Sequence, residues 1–297
     1  MNKSRKGKFI MLLANEWKDY QLLDSGLGEK LERWGNIVLR RPDPKAIWPV
    51  GNKKAWEKAD AVYHRSKSGG GYWEYKSKIP DRWIISFKNL KFYVEPTGFK
   101  HTGLFPEQAV NWTWMMKKIE EAKKPVKVLN LFAYTGGATI ALASQNAEVC
   151  HVDASRGMVN WAKENLELSR LTDKKVRFIV DDCLKFIRRE ARRGNQYDAI
   201  VMDPPSYGRG PRGEIWKIEE KLFEFVYECL KILSDKPLFF LINSYTTGFT
   251  PGVIANILNA TVNKKIRGKV SSREVGIPIT DSDLVLPCGI CGRWELE

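Results

Sequence analysis

Hydrophobic and polar positions alternate in a regular way through the last two thirds of the chain. Short apolar runs with strand character occupy residues 126–132, 148–152, 176–180, 199–202 and 238–242. Helical spacing of apolar residues fills the intervals at 139–145, 156–169, 183–193 and 214–233. Strands that alternate with helices in this way predict an α/β fold with a parallel, doubly wound sheet. A further helical pattern at 106–123 precedes the first strand, and residues 264–297 are expected to form an antiparallel edge of the sheet.

The first hundred residues have a different pattern. Strand character is present at 37–39, 83–87 and 90–94, while the glycines at 69–71 indicate a flexible loop tip. We therefore predict two domains, a small β-rich domain of residues 1–100 and a larger domain of residues 101–297.

Charge and aromatic residues are concentrated in the same N-terminal region. Residues 1–100 carry +10 of the net charge of +14, and they hold six of the eleven tryptophans. Basic side chains attract phosphates, and aromatic rings can stack on bases. Tryptophan also builds hydrophobic cores, so the regional bias is more informative than any single ring. The N-terminal domain is therefore a candidate RNA-binding domain.

Several classes of protein are disfavoured by composition. No apolar run approaches the roughly 20 residues that span a bilayer, and the run at 9–14 is too short for a signal peptide. We expect a cytoplasmic protein without a membrane partner. The five cysteines do not suggest a disulfide framework, and Cys288 and Cys291 lack a second pair of ligands for zinc. No metal is expected, and nothing in the sequence indicates an oligomeric state.

Residues suited to binding a nucleoside follow successive strands. The first strand leads into the turn FAYTGG at 132–137, the second ends at Asp153, and the third ends at Asp181 and Asp182. Ligands of such sheets bind beyond the carboxyl ends of the strands, where glycines permit a sharp turn and a close approach. Asp153 could accept ribose hydroxyl groups and Asp182 an adenine amino group, although Asp182 could equally cap a helix. The turn lacks the G-x-G-x-x-G pattern, which disfavours a dinucleotide and hence a dehydrogenase.

The fourth strand ends in a different kind of motif, DPPSY at 203–207. Pro204 and Pro205 have no N–H donor, so the Asp203 carboxylate and the Pro204 carbonyl remain as acceptors. Acceptors suit a substrate that presents an amino group or a ring N–H, and they can stabilise positive charge that develops there. Tyr207 could stack on a planar base. The alternative interpretation is a rigid turn without chemistry.

Together these motifs resemble class I S-adenosylmethionine-dependent methyltransferases. More narrowly, residues 95–297 are similar to the bacterial group that contains the large-subunit ribosomal RNA methyltransferases. Residues 100–108 (KHTGLFPEQ) resemble the K-T-G-x-F-x-D-Q segment of that group. The first third resembles a branch of the group without a PUA domain. The resemblance implies a Rossmann-like, seven-stranded sheet and S-adenosylmethionine as the cofactor.

The resemblance also implies roles for individual residues. Asp203, Pro204, Pro205 and Tyr207 would face the reacting methyl group and the substrate base. The residues expected to bind the cofactor are Thr102, Phe105, Gln108, Asn130, Phe132, Ala133, Tyr134, Thr135, Gly136, Gly137, Asp153, Ala154, Ser155, Asp182, Cys183 and Asp203.

Two positions depart from the group's pattern. His101 interrupts the Lys-Thr pair, and Ser244 stands where members that methylate cytosine C5 have a cysteine. Because C5 methylation needs a soft nucleophile that adds to the ring, we disfavour it and expect direct transfer to a nitrogen of RNA, most simply ribosomal RNA. Two alternatives remain, namely methylation of a protein or small molecule, and RNA binding without catalysis.

Overall fold

The computed structural model describes residues 11–66, 70–209 and 215–297. The strands are β1 (Leu12–Leu13), β2 (Tyr20–Gly26), β3 (Glu29–Trp34), β4 (Ile37–Pro42), β5 (Ala61–Arg65), β6 (Gly71–Tyr75), β7 (Trp83–Phe87), β8 (Leu90–Val94), β9 (Lys127–Leu131), β10 (Glu148–Asp153), β11 (Val176–Val180), β12 (Ala199–Met202), β13 (Tyr207–Arg209), β14 (Ile215–Lys217), β15 (Phe239–Ser244), β16 (Gly268–Pro278) and β17 (Val285–Leu296). The helices are α1 (Lys53–Trp56), α2 (Ala109–Ala122), α3 (Gly137–Ser144), α4 (Arg156–Leu168), α5 (Cys183–Arg192), α6 (Ile218–Cys229), α7 (Pro251–Ala260) and α8 (Val262–Lys265).

A mixed sheet forms the centre of the molecule. Its strand order is β1-β16-β17-β15-β12-β9-β10-β11, and the neighbours from β15 to β11 are parallel. Strand β17 runs antiparallel to both β15 and β16, which confirms the antiparallel edge expected for residues 264–297. The predicted seven-stranded Rossmann-like sheet is therefore present, and the short β1 extends it at the edge beside β16.

Helices cover both faces of this sheet, so the central strands are buried on each side. All four residues of β12 are buried, as are four of the five in β9. This explains why these strands appear in the sequence as continuous apolar runs rather than as alternating patterns. Helices α2 and α3 pack in one core, and α5, α6 and α7 pack in the other.

The N-terminal region forms a second, five-stranded sheet of β2 to β6 and a separate hairpin of β7 and β8. Its buried side chains continue into the core under α2, where Phe87 and Phe92 contact the ring of Trp112. The small β-rich domain of the prediction is therefore present. The domain boundary at residue 100 stays a prediction. Strand β1 precedes this boundary but pairs with β16 of the large sheet.

The predicted helix at 214–233 is wrong at its start. Residues Ile215–Lys217 form β14, which pairs with β13 in a hairpin, and the helix begins only at Ile218. The indole N–H of Trp216 donates to the Pro205 carbonyl over 2.6 Å, and its ring packs on Phe132. These tertiary contacts favour the extended backbone over the local helical spacing. Residues 210–214 lie outside the described residues, as does Gly69 of the predicted loop tip.

No helix in the three described ranges is long and apolar enough to cross a bilayer.

Candidate active site

A groove opens at the carboxyl ends of β9 and β12, where the topology of the sheet leads us to expect a ligand. Of the residues predicted from sequence, those that line this groove are Phe105, Gln108, Asn130, Phe132, Ala133, Tyr134, Thr135, Gly137 and Asp203. The remaining predicted residues lie around the groove and not in its lining. They are Thr102, Gly136, Asp153, Ala154, Ser155, Asp182, Cys183, Pro204, Pro205 and Tyr207.

The turn between β9 and α3 has an unusual backbone. Phe132, Tyr134 and Gly136 all have positive φ, at 54°, 51° and 86°. Two large side chains in the left-handed region cost free energy, and such residues cluster at ligand sites. The turn persists because the Asp153 carboxylate accepts the Tyr134 N–H over 2.9 Å and because Thr135 donates to the Gly103 carbonyl.

The glycines of this turn also have a packing role, in addition to the sharp turn that was expected of them. A Cβ at Gly136 would lie 2.8 Å from the Ala162 side chain, and one at Gly137 would lie 2.5 Å from the ring of Trp112. Both glycines therefore allow α3 to pack closely against its neighbours α4 and α2.

Asp153 organises the second strand end. Its Oδ1 accepts the Ser155 N–H over 2.8 Å, while its Oδ2 holds Tyr134. Burial raises the pKa of this carboxyl, which the two amide donors oppose. Ser155 caps α4 through the Met158 N–H, and Ala154 links the two polar residues. Each Asp153 oxygen keeps a lone pair for a further donor.

Asp182 and Cys183 both have structural contacts. The Asp182 carboxylate accepts the Lys185 N–H over 2.8 Å and caps α5. The Cys183 thiol is buried and lies 3.4 Å from the Phe132 nitrogen, and burial raises its pKa well above the ordinary value. The thiol therefore supports the strained turn, and the adenine contact of Asp182 remains a prediction.

Asp203 is the chemically distinct residue of the groove. Its backbone N–H donates to the Leu131 carbonyl, but no donor among the described residues reaches its carboxylate. Burial raises the pKa of this carboxyl to about 7, and the nearby negative charge of Glu107 adds to the shift. Pro204 is buried, whereas Tyr207 is 50% exposed beside the groove. The motif thus holds an unpaired acceptor inside and an aromatic ring outside.

Sequence reasoning missed a polar network in the floor of the groove. Asn111 on α2 donates to Asn243 and to Gln108, each over 2.9 Å, and Gln108 donates to the Tyr245 hydroxyl over 2.6 Å. Asn111 lies on the apolar face of the helix predicted at 106–123. A polar residue at such a position was the signal that could have revealed this network. The other lining residues that were missed are Leu104, Trp112, Ala138, Val201 and Asn243.

Thr102 and His101 precede this network on the segment that covers the groove. The Thr102 hydroxyl is fully buried and has no hydrogen-bond partner in the described part of the chain. Burial and the nearby cations, first among them Arg41, lower the pKa of His101 to about 4, so its ring is neutral near pH 7.

The serine that stands in place of the C5 cysteine has a hydrogen-bond partner in the structure. Ser244 is buried, and its hydroxyl accepts the Thr246 N–H over 3.3 Å. The thiol of Cys291 donates to the side-chain Oδ1 of Asn111, and that of Cys288 contacts the backbone carbonyl of Leu286. Among the described residues no group of three or more His, Cys, Asp or Glu side chains is placed to hold a metal ion.

A larger cavity, of about 330 Å³, lies at the opposite end of the strands, near the start of β10. Its buried carboxylate, Glu190, already accepts hydrogen bonds from Tyr197, Asn195 and Arg193. Because these partners already satisfy the Glu190 carboxylate, we place the chemistry in the smaller groove around Asp203.

Comparison with known proteins gives a consistent result. A family model described as S-adenosylmethionine-dependent methyltransferase matches residues 55–220. The solved structure of a SAM-dependent methyltransferase from Agrobacterium tumefaciens is 36% identical, with a TM-score of 0.90 over 97% of this chain and 94% of that one.

Curated relatives include the ribosomal RNA large subunit methyltransferase K/L of Shewanella frigidimarina, 36% identical over 48% of this chain and 20% of that protein. The protein of the same name from Colwellia psychrerythraea is 26% identical over 82% of this chain and 36% of its own length. This chain thus spans a fifth to about a third of the length of these two relatives.

Proposed function

The chain belongs to the S-adenosylmethionine-dependent methyltransferases, and on that premise we propose that it methylates a base nitrogen of RNA, with ribosomal RNA as the substrate class. The unpaired, desolvated carboxylate of Asp203 at the groove carries this proposal. A carboxylate in this state gains most from a substrate N–H donor. The names of the curated relatives give independent support for RNA as the acceptor.

The residues around the groove fit the cofactor. Asp153 has acceptor capacity left for two ribose hydroxyl groups, and the rings of Phe105 and Tyr134 lie 5.6 Å apart on the wall of the groove. The groove therefore offers an apolar wall and a charged acceptor, as a nucleoside needs. When bound, S-adenosylmethionine supplies a methyl group on a positively charged sulfur.

The chain's own groups then act on the substrate. Asp203 accepts a hydrogen bond from the base and orients the nitrogen lone pair toward the methyl group. As positive charge develops on that nitrogen, the carboxylate stabilises it, and its raised pKa suits it to take up the proton released. The exposed ring of Tyr207 offers a stacking surface for the base.

Cations beside the groove favour a polyanionic substrate over a protein or a small molecule. Lys100 is partly buried, and burial together with repulsion from Lys30, Arg65 and Arg41 lowers its pKa against the opposing charge of Asp43. Neither Lys100 nor Arg65 has an ion-pair partner in the described ranges, whereas Arg41 and Lys30 pair with Glu32. We call Lys100 and Arg65 the cationic rim, and a phosphate backbone would supply its missing negative charge.

The decisive experiment is transfer of radiolabelled methyl from S-adenosylmethionine to total RNA from a strain that lacks the protein. We expect label in RNA with the wild type, its loss with Asp203→Ala, and no change with Asp173→Ala, an exposed residue paired with Lys174. Calorimetry should show that Asp203→Ala still binds the cofactor.

Label in a protein or small-molecule fraction, with none in RNA, would contradict RNA as the acceptor. Binding of RNA without any transfer of label would favour the non-catalytic alternative for this chain.

A further inference from the structure

The segment between β8 and α2 has no regular structure for most of its length, yet it covers the groove. Residues 95–105 lie outside helices and strands and are followed by a single 3-10 turn, Pro106–Gln108. Three side chains of this region, Leu104, Phe105 and Gln108, line the groove. We call residues 97–106 the cover segment.

Three side chains from the N-terminal region donate hydrogen bonds to backbone carbonyls of the cover segment. The indole of Trp73 donates to the Thr97 carbonyl, the guanidinium of Arg41 to the Lys100 carbonyl, and the indole of Trp17 to the Pro106 carbonyl. Each of the three distances is 2.8 Å. The bonds therefore hold the segment at its start, its middle and its end.

Arg41 is held in place by a buried ion pair. Its Nε and Nη2 donate to the two oxygens of Glu32 over 2.6 and 2.8 Å, and Tyr20 donates to the same carboxylate over 2.8 Å. Burial would raise the pKa of Glu32, but Arg41 and Lys30 outweigh it and hold the pKa at about 2. The fork of the guanidinium is thus fixed, and its remaining nitrogen points at the Lys100 carbonyl.

The catalytic fold holds the other side of the cover segment. Thr135 in the turn after β9 donates to the Gly103 carbonyl, and Gly103 packs against the ring of Trp161. Because the segment lies between the two halves of the molecule, the position of Phe105 depends on both.

We propose that Trp17, Arg41 and Trp73 are positioning residues, which preorganise the cover segment for binding of the cofactor. The inference rests on the proposed placement of the cofactor along residues 102–108, and it does not depend on RNA as the acceptor. An ordered segment loses less entropy when the ligand binds, so these bonds strengthen cofactor binding.

The test uses substitutions that remove the indole N–H donor and keep a smaller aromatic ring in its place. Trp17→Phe and Trp73→Phe should each raise the Kd for S-adenosylmethionine about three- to tenfold, the usual worth of one such hydrogen bond. The double variant should multiply the two effects, with kcat nearly unchanged while KM for the cofactor rises. Affinity is measured by calorimetry on the full chain without RNA, and stability by thermal unfolding.

Trp83→Phe is the matched control. Its indole N–H donates over 3.0 Å to the Trp34 carbonyl, inside the N-terminal region and not to the cover segment. We expect it to lower Tm about as much as the test variants and to leave the Kd unchanged. An unchanged Kd in both test variants, or an equal rise in Trp83→Phe, would overturn the inference.

A parallel measurement on Phe105→Ala separates this inference from the placement on which it rests. If Phe105→Ala weakens cofactor binding and the two tryptophan variants do not, the inference about the positioning residues is wrong, while the placement of the cofactor stands. If Phe105→Ala leaves the affinity unchanged, the placement of the cofactor is wrong as well.

Discussion

At the scale of single residues, the ionisation of Asp203 connects the structure to a measurable pH dependence. Its ordinary pKa is near 3.9, whereas burial and the charge of Glu107 raise it to about 7. The ionised carboxylate is the acceptor for the substrate N–H, and this form increases as pH rises through 7. We therefore expect kcat/KM to rise with pH up to about 8 and then to level off.

Asp203→Asn is the control for this prediction. The amide accepts a hydrogen bond at every pH, so the variant should be slower and its rate should not change between pH 6 and pH 8. His101 does not titrate in this range, since its pKa is about 4. A wild-type rate that is already level below pH 6 would contradict the assignment. So would a rate of the variant that still rises with pH as the wild-type rate does.

Residue types at the strand ends were readable in the sequence, but their environments were not. Asp153, Asp182 and Asp203 were all singled out from their spacing. Only the fold shows that Asp182 caps a helix and that no donor reaches the Asp203 carboxylate within the described residues. Solvation depends on what other segments bring to a side chain, and a strand pattern contains no information on that.

At the scale of elements, Gly103 limits where the cover segment can lie. Its φ is +87°, and a Cβ there would lie 2.3 Å from the buried ring of Trp161. Gly103→Ala should therefore destabilise the protein by about 1–3 kcal/mol and weaken cofactor binding, because the segment must move away from α4. Chemical denaturation and calorimetry measure the two effects.

Gly98→Ala, in the same segment, provides the comparison. No atom lies within 4 Å of its added Cβ, so the change in stability should stay within about 0.5 kcal/mol. Equal effects of the two substitutions would refute a specific packing role for Gly103.

Hairpin β13–β14 shows where element prediction from spacing failed. Residues 214–217 continue the helical pattern of α6, yet Trp216 packs on Phe132 and binds the Pro205 carbonyl. The partner residues are many positions away along the chain, and local periodicity cannot register them. By contrast β11 and β12 match their predicted limits, because each coincides with a short run rich in apolar residues. Of the two, only β12 is buried along its whole length.

At the scale of the whole molecule, the net charge of +14 predicts salt-dependent RNA binding. The slope of log K against log salt is negative for a ligand with a phosphate backbone. If Lys100 and Arg65 each neutralise one phosphate of a single strand, replacing both with Gln should make this slope shallower by about 1.4. Titrations at several salt concentrations measure this slope.

The control replaces Lys53 and Lys54, two exposed cations of α1, and should change the slope less. Affinity that does not vary with salt would contradict a phosphate backbone as the ligand, as would equal changes in both double variants.

The sequence by itself determined the order of strands and helices from β9 to β15 apart from hairpin β13–β14, the class of sheet and the cofactor family, because each of these depends on local apolar patterns and on motifs at strand ends. Only the tertiary structure decided which groups meet across the chain. Trp17 and Pro106 are 89 positions apart, and Asn111 and Asn243 are 132 apart, yet hydrogen bonds join both pairs. Such contacts, and the desolvation that raises the pKa of Asp203, arise when separate segments pack together, and no single segment specifies them.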